Sequence, residues 1–259
     1  MLLNITPDHL ERHKTFYNYI KTKFKLLFSL KNNDYAFFFK NEPLFKNFLK
    51  GKKMNCKIIN VENKFSKQFE RKVKNGYFKN ENNQQNLSFI LKICSKLRIK
   101  KSVIFEVVNN FKPLDFRQQI IYNSNKLQII NDSKSTSFSS FKNLINNFET
   151  IYWILGGLPK KGDKFEIDNR YQFEKIYIYG KNNFFFTKFF KKKYPYLKFN
   201  KLSEAVKQVS IDIKKAKLDK KINLIFSPCA ASFDNFKNFE ERGKYFNYLI
   251  DLYKIKNAR

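Results

Sequence analysis

The stretch ETIYWILGG at 149–157 decides the fold. Five consecutive apolar residues, bounded by paired glycines, are typical of a strand that is buried on both faces. Runs of the same kind occur in KIYIYG at 175–180 and INLIFSPCA at 222–230, with helical spacing between them. This alternation of strands and helices predicts an α/β fold built on an open, mostly parallel sheet.

The segments around these strands complete the predicted order of elements. QQIIYNSNKLQII at 118–130 predicts two short strands around an Asn-Ser-Asn turn. Helical spacing or capping predicts helices at 13–30, 82–97, 100–111, 137–148, 168–175 (DNRYQFEK), 182–192, 202–217 and 239–255. The polar stretch from Asn60 to Asn86 predicts loops and short strands, and a domain boundary is expected between Pro113 and Gln118.

The composition is strongly basic, with 52 Lys and Arg against 22 Asp and Glu and a formal charge of +30. Such a charge is compatible with a nucleic-acid-binding protein. The excess of Lys, Asn, Ile, Phe and Tyr, with few Gly and Pro, is also what A/T-rich codons produce, and the cations are spread along the chain. Nucleic acid is therefore the less favoured partner.

Other counts exclude whole classes of protein. No apolar run reaches the roughly 18 residues of a membrane span, and the start of the chain lacks the apolar stretch of a signal peptide. The three cysteines stand far apart without a CxxC pair, which excludes a disulfide scaffold and a zinc finger. These features favour a cytoplasmic location.

Two motifs allow both a functional and a structural interpretation. His9 and His13, the only histidines, lie near Asp8 and Glu11 and can bind a metal, or they can mark a helix start that Asp8 caps. NDSKSTS at 131–137 follows a strand and opens a helix, so it can hold phosphate on its backbone N–H groups or simply cap the helix.

Two further motifs follow strand ends. GGLPKKG at 156–162 can bring backbone close to a ligand beside Lys160, or form a tight turn with solvated lysines. In SPCAASFD at 227–234, small residues permit close approach and Ser232 offers a hydroxyl. Cys229 suggests a nucleophile, but no histidine follows it in the sequence, so a packed thiol is the better interpretation.

Together these pieces resemble the D-glutamate-adding branch of the Mur ligase family. The stretch SPCAASFDNFKNFEERG at 227–243 resembles the family's C-terminal signature almost throughout, NDSKST at 131–136 its nucleotide loop, and ILGG at 154–157 its next strand end. NITPDHLERH at 4–13 is similar to a central-domain segment. The resemblance implies that residues 1–116 form the C-terminal part of the central ATPase domain and 117–259 a Rossmann-like C-terminal domain.

The resemblance also implies roles for single residues. His9 would bind magnesium, and Lys23, once carbamylated, would help to organise the same site. The positions implied for ATP are Asn83, Asn86, Arg117, Asp132 and Lys134. The positions implied for D-glutamate are Thr136, Lys160, Ser232 and Phe239. The family's usual residues are replaced by Asn82, Asp115 and Phe116, which weakens the matches near Asn83 and Arg117.

The reaction so implied consumes ATP with Mg²⁺ and joins D-glutamate to UDP-N-acetylmuramoyl-L-alanine in peptidoglycan precursor synthesis in the cytoplasm. The seven glycines form no GxxxxGK[ST] phosphate loop. The resemblance therefore implies a truncated ligase, or one part of a split enzyme whose N-terminal half is a separate chain. Alternatives are a non-catalytic remnant that binds nucleotide or a partner, and a basic nucleic-acid-binding protein.

Overall fold

A computed structural model of the chain describes all residues except 6–9, 40–41, 63–68, 70, 80, 146–147, 161–164, 166, 168–170, 191–192, 217–218 and 258–259. The side chains at 11, 79, 81, 82 and 143 are likewise not described. The chain divides into two compact units, Met1–Lys112 and Pro113–Arg259. None of the helices in the described ranges is long and apolar enough to cross a membrane.

The first unit packs helices around a pair of parallel strands. Its elements are α1 (Leu10–His13), α2 (Phe16–Phe28), β1 (Tyr35–Phe39), α3 (Pro43–Leu49), β2 (Lys57–Val61), a 3₁₀ turn (Gly76–Lys79), α4 (Glu81–Lys96) and α5 (Lys101–Asn110). Strand β1 is YAFFF, and its side chains alternate between two apolar clusters. Phe38 packs with Phe24 and Phe45, whereas Phe37 and Phe39 pack with Phe89.

The second unit is a six-stranded sheet with helices between its strands. Its elements are β3 (Gln119–Asn123), β4 (Leu127–Asn131), α6 (Phe138–Ile145), β5 (Thr150–Gly156), β6 (Phe173–Tyr179), α7 (Asn183–Phe190), β7 (Tyr196–Phe199), α8 (Leu202–Lys215), β8 (Ile222–Phe226) and α9 (Phe239–Leu252). The strand order is β3-β4-β8-β5-β6-β7. Among the described strands of this sheet, only the β3–β4 pair is antiparallel. The α/β class and the mostly parallel sheet are confirmed.

The central strand β5 shows why the apolar runs fold this way. Tyr152 and Ile154 pack on one face, in the cluster that includes α8 and α9. Trp153 and Leu155 pack on the opposite face with α6 and α7. The indole of Trp153 stacks on Phe141 with the ring centroids 3.9 Å apart, and both side chains are fully buried. Burying one such side chain is worth about 2–3 kcal/mol, so these runs hold the sheet between two helical layers.

One predicted helix is wrong. DNRYQFEK at 168–175 was expected to be helical, but β6 begins at Phe173, and residues 168–170 lie outside the described part of the chain. Phe173 is buried opposite Ile151 of β5, whereas Glu174 is exposed. Pairing with β5 imposes this two-residue period and overrides the local helical preference.

The topology brings three segments to one edge of the sheet. Strands β4, β8 and β5 are neighbours, and all three run in the same direction. The segments that follow them are 131–136, 227–234 and 156–160, so these lie side by side beyond the carboxyl ends of the strands. Ligands of open α/β sheets bind at this edge, and the predicted placement of the Gly-Gly and SPCAAS segments is confirmed.

Candidate functional site

Asp132, the first residue after β4, is buried and holds two other segments in place. Its Oδ1 accepts a hydrogen bond from the backbone N–H of Gln118 at 3.1 Å, and its Oδ2 accepts one from the hydroxyl of Ser227 at 2.9 Å. Burial raises the pKa of Asp132 to about 7, although these hydrogen bonds and the charges of Arg117 and Arg242 oppose the increase. Asp132 therefore already serves as a link within the protein.

Two residues that were assigned to different ligands contact each other here. The Nζ atom of Lys134, expected at the nucleotide, lies 3.7 Å from the ring centroid of Phe239, expected at D-glutamate. A cation so close to an aromatic face is held electrostatically. Thr136 follows in the same segment and is half-buried. The segment 131–136 and the start of α9 therefore contact each other through these two side chains.

The segments after β5 and β8 are joined through their backbones. Leu158 and Ala231 form an antiparallel bridge in which each N–H donates to the other's carbonyl at 2.9 Å. Ser232, next along the chain, is buried, and its carbonyl accepts from the N–H groups of Asn235 and Phe236. The bridge places Ser232 close to the segment that carries Lys160, which is half-buried.

Cys229 is a packed thiol rather than an exposed nucleophile. It is fully buried in the same apolar cluster as Trp153. The Oγ of Ser135 lies 3.8 Å from its sulfur. The backbone of Cys229 has a φ of +53°, so this residue shapes the turn after β8.

Arg242 of α9 lies at the centre of the site, although it is not among the site residues predicted from the sequence. Its side chain is fully buried. Its Nε donates to the hydroxyl of Ser133 at 3.1 Å, and its Nη2 donates to the carbonyls of Ser133 at 2.7 Å and Ala230 at 3.0 Å. The hydroxyl of Ser133 in turn donates to the carbonyl of Phe239 at 2.8 Å. One guanidinium therefore ties the segments after β4 and β8 to the helix.

A signal for Arg242 is present in the helical pattern. Arg242, Phe246, Leu249 and Ile250 are spaced four, three and one residues apart, which puts the arginine on the buried face of α9. A cation on such a face needs hydrogen-bond acceptors, and here these are backbone carbonyls at the ends of two strands.

Of the site residues expected in the first unit, the described structure includes Lys23, Asn83 and Asn86. His9 lies outside the described residues. Lys23 is exposed on α2, with its Nζ 5.3 Å from the ring centroid of Tyr19. Asn83 donates from its amide to the carbonyl of Tyr77 at 2.9 Å, and Asn86 is exposed one helical turn further along α4. Arg117, in the second unit, is also exposed.

The magnesium site that the resemblance implies rests on Lys23 and on His9, and His9 lies outside the described residues. No group of three or more His, Cys, Asp or Glu side chains that could hold a metal ion occurs among them. An unmodified lysine ammonium has no lone pair to offer to a cation. No step of the chemistry is therefore assigned here to a metal.

Comparison with known proteins shows which proteins the chain resembles. Residues 1–109 match the Mur ligase middle domain. Over 97% of its length the chain is 31% identical to UDP-N-acetylmuramoylalanine--D-glutamate ligase of Petrotoga mobilis, and over 95% it is 28% identical to the ligase of the same name from Rickettsia felis. Along nearly its whole length, this chain is therefore similar to ligases of the Mur family.

Solved structures show the same Mur ligase fold. The MurF ligase of Thermotoga maritima in complex with ADP superposes with a TM-score of 0.65 at 12% identity, covering 95% of this chain and 60% of that one. MurF of Acinetobacter baumannii gives a TM-score of 0.61 at 11% identity, covering 97% and 58%. The chain spans 59% of the length of the Petrotoga and Rickettsia relatives. At these identities the structures bear on the fold, and the roles of single residues stay predictions.

Proposed function

We propose that this chain contributes to the ATP-dependent addition of D-glutamate to UDP-N-acetylmuramoyl-L-alanine in peptidoglycan precursor synthesis. The observation that carries the proposal is the meeting of three segments, 131–136, 156–160 and 227–234, at the carboxyl edge of one sheet. The relatives from Petrotoga and Rickettsia, which align over both units, are D-glutamate ligases, and this supports the choice of D-glutamate.

In this proposal ATP phosphorylates the terminal carboxylate of the muramoyl-alanine substrate. The amine of D-glutamate then attacks the acyl phosphate, the amide bond forms, and phosphate leaves while ADP is released. Lys160 would pair with one carboxylate of D-glutamate and Ser232 would donate a hydrogen bond to the other. Ordering the amine near the acyl phosphate lowers the entropic part of the barrier.

Lys134 and Phe239 supply the link between the two substrates. Because the ammonium of Lys134 rests 3.7 Å from the centre of the Phe239 ring, a nucleotide phosphate drawn to the cation would lie beside the surface proposed for D-glutamate. Thr136 extends the same segment toward the amino acid. The proposal places transfer from ATP and attack by the amine on adjacent parts of one surface.

We further propose that the phosphate-wrapping loop comes from residues outside these 259, in the same polypeptide or in a separate N-terminal half. Phosphoryl transfer needs backbone N–H groups and cations around the β- and γ-phosphates. ATP, Mg²⁺ and a soluble, cytoplasmic setting belong to the same proposal.

The test uses Lys160→Ala and Ser232→Ala, with Lys181→Ala as a control because Lys181 is an exposed lysine of the same unit. Binding of D-glutamate to the purified chain is measured by titration, with L-glutamate as the stereochemical control. In a ligase reconstituted with a P-loop-bearing segment, KM for D-glutamate is measured as well. Each site variant is expected to weaken the binding of D-glutamate roughly tenfold or more. The reason is that a charge-assisted hydrogen bond is worth about 1.5–3 kcal/mol.

Unchanged affinity and unchanged KM in both site variants would reject the glutamate assignment. Binding of ATP without any turnover in the reconstituted preparation would favour the non-catalytic remnant. Retention on DNA that falls steeply with salt and does not respond to ADP would favour the nucleic-acid-binding alternative.

A further inference from the structure

Three buried polar atoms stand out at the carboxyl edge of the sheet. Within the described ranges, Tyr179 Oη, Asp234 Oδ1 and Arg242 Nη1 are the buried side-chain nitrogen and oxygen atoms without a well-aligned hydrogen bond to the protein, and the guanidinium of Arg242 comes within hydrogen-bonding reach of the Tyr179 hydroxyl. Tyr179 and Arg242 are at most 1% exposed. Buried polar groups nearly always have a hydrogen-bond partner. Three such atoms that lack a well-aligned hydrogen bond in one place therefore require an explanation.

The three atoms belong to one cluster. The charge of Arg242 acts on both other groups: burial raises the pKa of Tyr179 to about 12 and also raises that of Asp234, and the guanidinium opposes both increases. A Cβ built on Gly157 would lie 3.1 Å from Nη1 of Arg242, and one built on Gly180 would lie 3.2 Å from Oδ2 of Asp234 and 3.7 Å from the nitrogen of Gly157. Two strand-end glycines therefore line the space between the charged groups.

The chemistry of the three groups selects the ligand. The guanidinium only donates, the carboxylate oxygen only accepts, and the tyrosine hydroxyl does both. A cation would face Arg242 and an anion would face Asp234, so a small neutral molecule with donors and acceptors fits best. We propose that Tyr179, Asp234 and Arg242 bind one internal water molecule, which accepts from Nη1, donates to Oδ1 and exchanges a hydrogen bond with the tyrosine hydroxyl.

The water site fixes the loop that carries Ser232. Asp234 lies two residues after Ser232, whose carbonyl accepts from the N–H groups of Asn235 and Phe236 at 3.2 and 2.9 Å. Tyr179 lies at the end of β6, in the rigid sheet. A water that joins them ties the turn 232–236 to the sheet. Tyr179 and Asp234 are then positioning residues for Ser232, a role that rests on the proposed function, whereas the water site rests on the geometry alone.

The test compares Tyr179→Phe with Tyr177→Phe. Both tyrosines belong to β6 and pack in the same cluster, but the hydroxyl of Tyr177 donates to Asp212 at 2.6 Å. Hydrogen exchange of the full chain is measured at the amides of Ala231, Asn235 and Phe236. Tyr179→Phe is expected to speed exchange there about tenfold or more while the β5 and β8 core amides keep their rates. Tyr177→Phe is expected to leave these three amides unchanged.

A crystal structure of the unmodified chain supplies the second arm. It should show an ordered water within about 2.6–3.2 Å of all three atoms, and Tyr179→Phe should lose or displace it. Direct contact among the three side chains without a water would overturn the site. Equal exchange in the two variants would overturn its effect on the loop.

Titration with D-glutamate separates this inference from the proposed function. If the wild-type chain binds D-glutamate, Tyr179→Phe should lower the affinity for D-glutamate while the affinity for ATP stays unchanged. Equal D-glutamate affinity in the two proteins would overturn the positioning role. If wild-type chain does not bind D-glutamate, the glutamate assignment fails while the water and exchange results still stand.

Discussion

Arg242 donates a 2.7 Å hydrogen bond from Nη2 to the backbone carbonyl of Ser133. The same nitrogen donates to the carbonyl of Ala230 at 3.0 Å, so one side chain of α9 holds the loops that follow β4 and β8. These acceptors are backbone atoms, and almost any residue at 133 or 230 would present the same carbonyl. At these two contacts the arrangement depends on the arginine itself, whereas the Nε contact at 3.1 Å also requires the hydroxyl of Ser133.

Arg242→Met is expected to lower the free energy of unfolding of the second unit by about 2–4 kcal/mol. Methionine keeps much of the buried volume but leaves two buried carbonyls without their donor. Trp153, the single tryptophan, is buried in this unit and reports its unfolding by fluorescence in urea. Lys244→Met is the control, because Lys244 is exposed on the same helix. An equal effect of the two variants would contradict the role of Arg242.

Most of the sheet of the second unit, though not its edge strand β7, could be predicted because the signals for its strands lie within each strand's own sequence. Each central strand is a short apolar run with a turn signal beside it, and the run itself requires burial on both faces. In the first unit, YAFFF at 35–39 was not predicted as a strand. Its parallel partner, KIINV at 57–61, leaves Lys57 and Ile58 exposed and does not read as a buried strand. Pairing between segments so far apart cannot be inferred from either one alone.

The candidate site, too, could be predicted from the sequence only in part. The segments that follow the strands could be located, because the carboxyl ends of parallel strands lie at one edge of the sheet. The residues that hold those segments together could not, since Arg242 and Ser133 are 109 positions apart. The resemblance implies that Asp132 binds ATP, and its burial against Ser227 and Gln118 follows only from the packed structure.

Gly157→Ala is expected to destabilise the second unit by about 1–3 kcal/mol. The residue has a φ of +123°, and an added Cβ would lie 2.6 Å from the carbonyl oxygen of Ala231, which accepts from Leu158. The methyl group therefore strains the backbone and pushes apart the bridge between two segments of the site. Urea unfolding followed by Trp153 fluorescence measures the loss.

Gly76→Ala is the matched control for this substitution. An added Cβ there meets nothing within 4 Å, so its effect should stay within about 0.5 kcal/mol. If the Gly157→Ala protein were as stable as the Gly76→Ala protein, the bridge between Leu158 and Ala231 would accommodate the methyl group without loss of stability.

Lys23→Ala is expected to abolish activity of the reconstituted ligase if Lys23 carries a carbamate. Bicarbonate should not restore the activity, because the amine that CO₂ would modify is gone, whereas a short-chain carboxylic acid should restore part of it. Lys25→Ala, two residues on in α2 and also exposed, is the control and should stay active. Rescue by a small amine instead of an acid would show that Lys23 acts as a plain cation.

The raised pKa of Asp132 predicts how the free energy of unfolding depends on pH. The pKa of its carboxyl is about 7 in the folded chain and close to 3.8 when exposed, so between these values the folded state holds the extra proton. Stability should therefore fall as pH rises from about 4 to 7, by about 1.4 kcal/mol for each pH unit in which one proton is held, on the order of 4 kcal/mol in all. Above pH 7 this contribution is constant.

The variant Asp132→Asn should remove this slope, because asparagine does not titrate and its side-chain oxygen can still accept from Gln118. Urea unfolding at a series of pH values, with Trp153 as the probe, gives the difference from the unmodified chain. Asp212 is the control of opposite sign. Although burial opposes it, hydrogen bonds from Tyr177, Lys175 and Gln208 lower its pKa, so Asp212→Asn should change the pH dependence only as pH falls below about 4. Identical slopes from pH 4 to 7 in the Asp132→Asn and unmodified proteins would mean that the folded chain carries this carboxylate ionised.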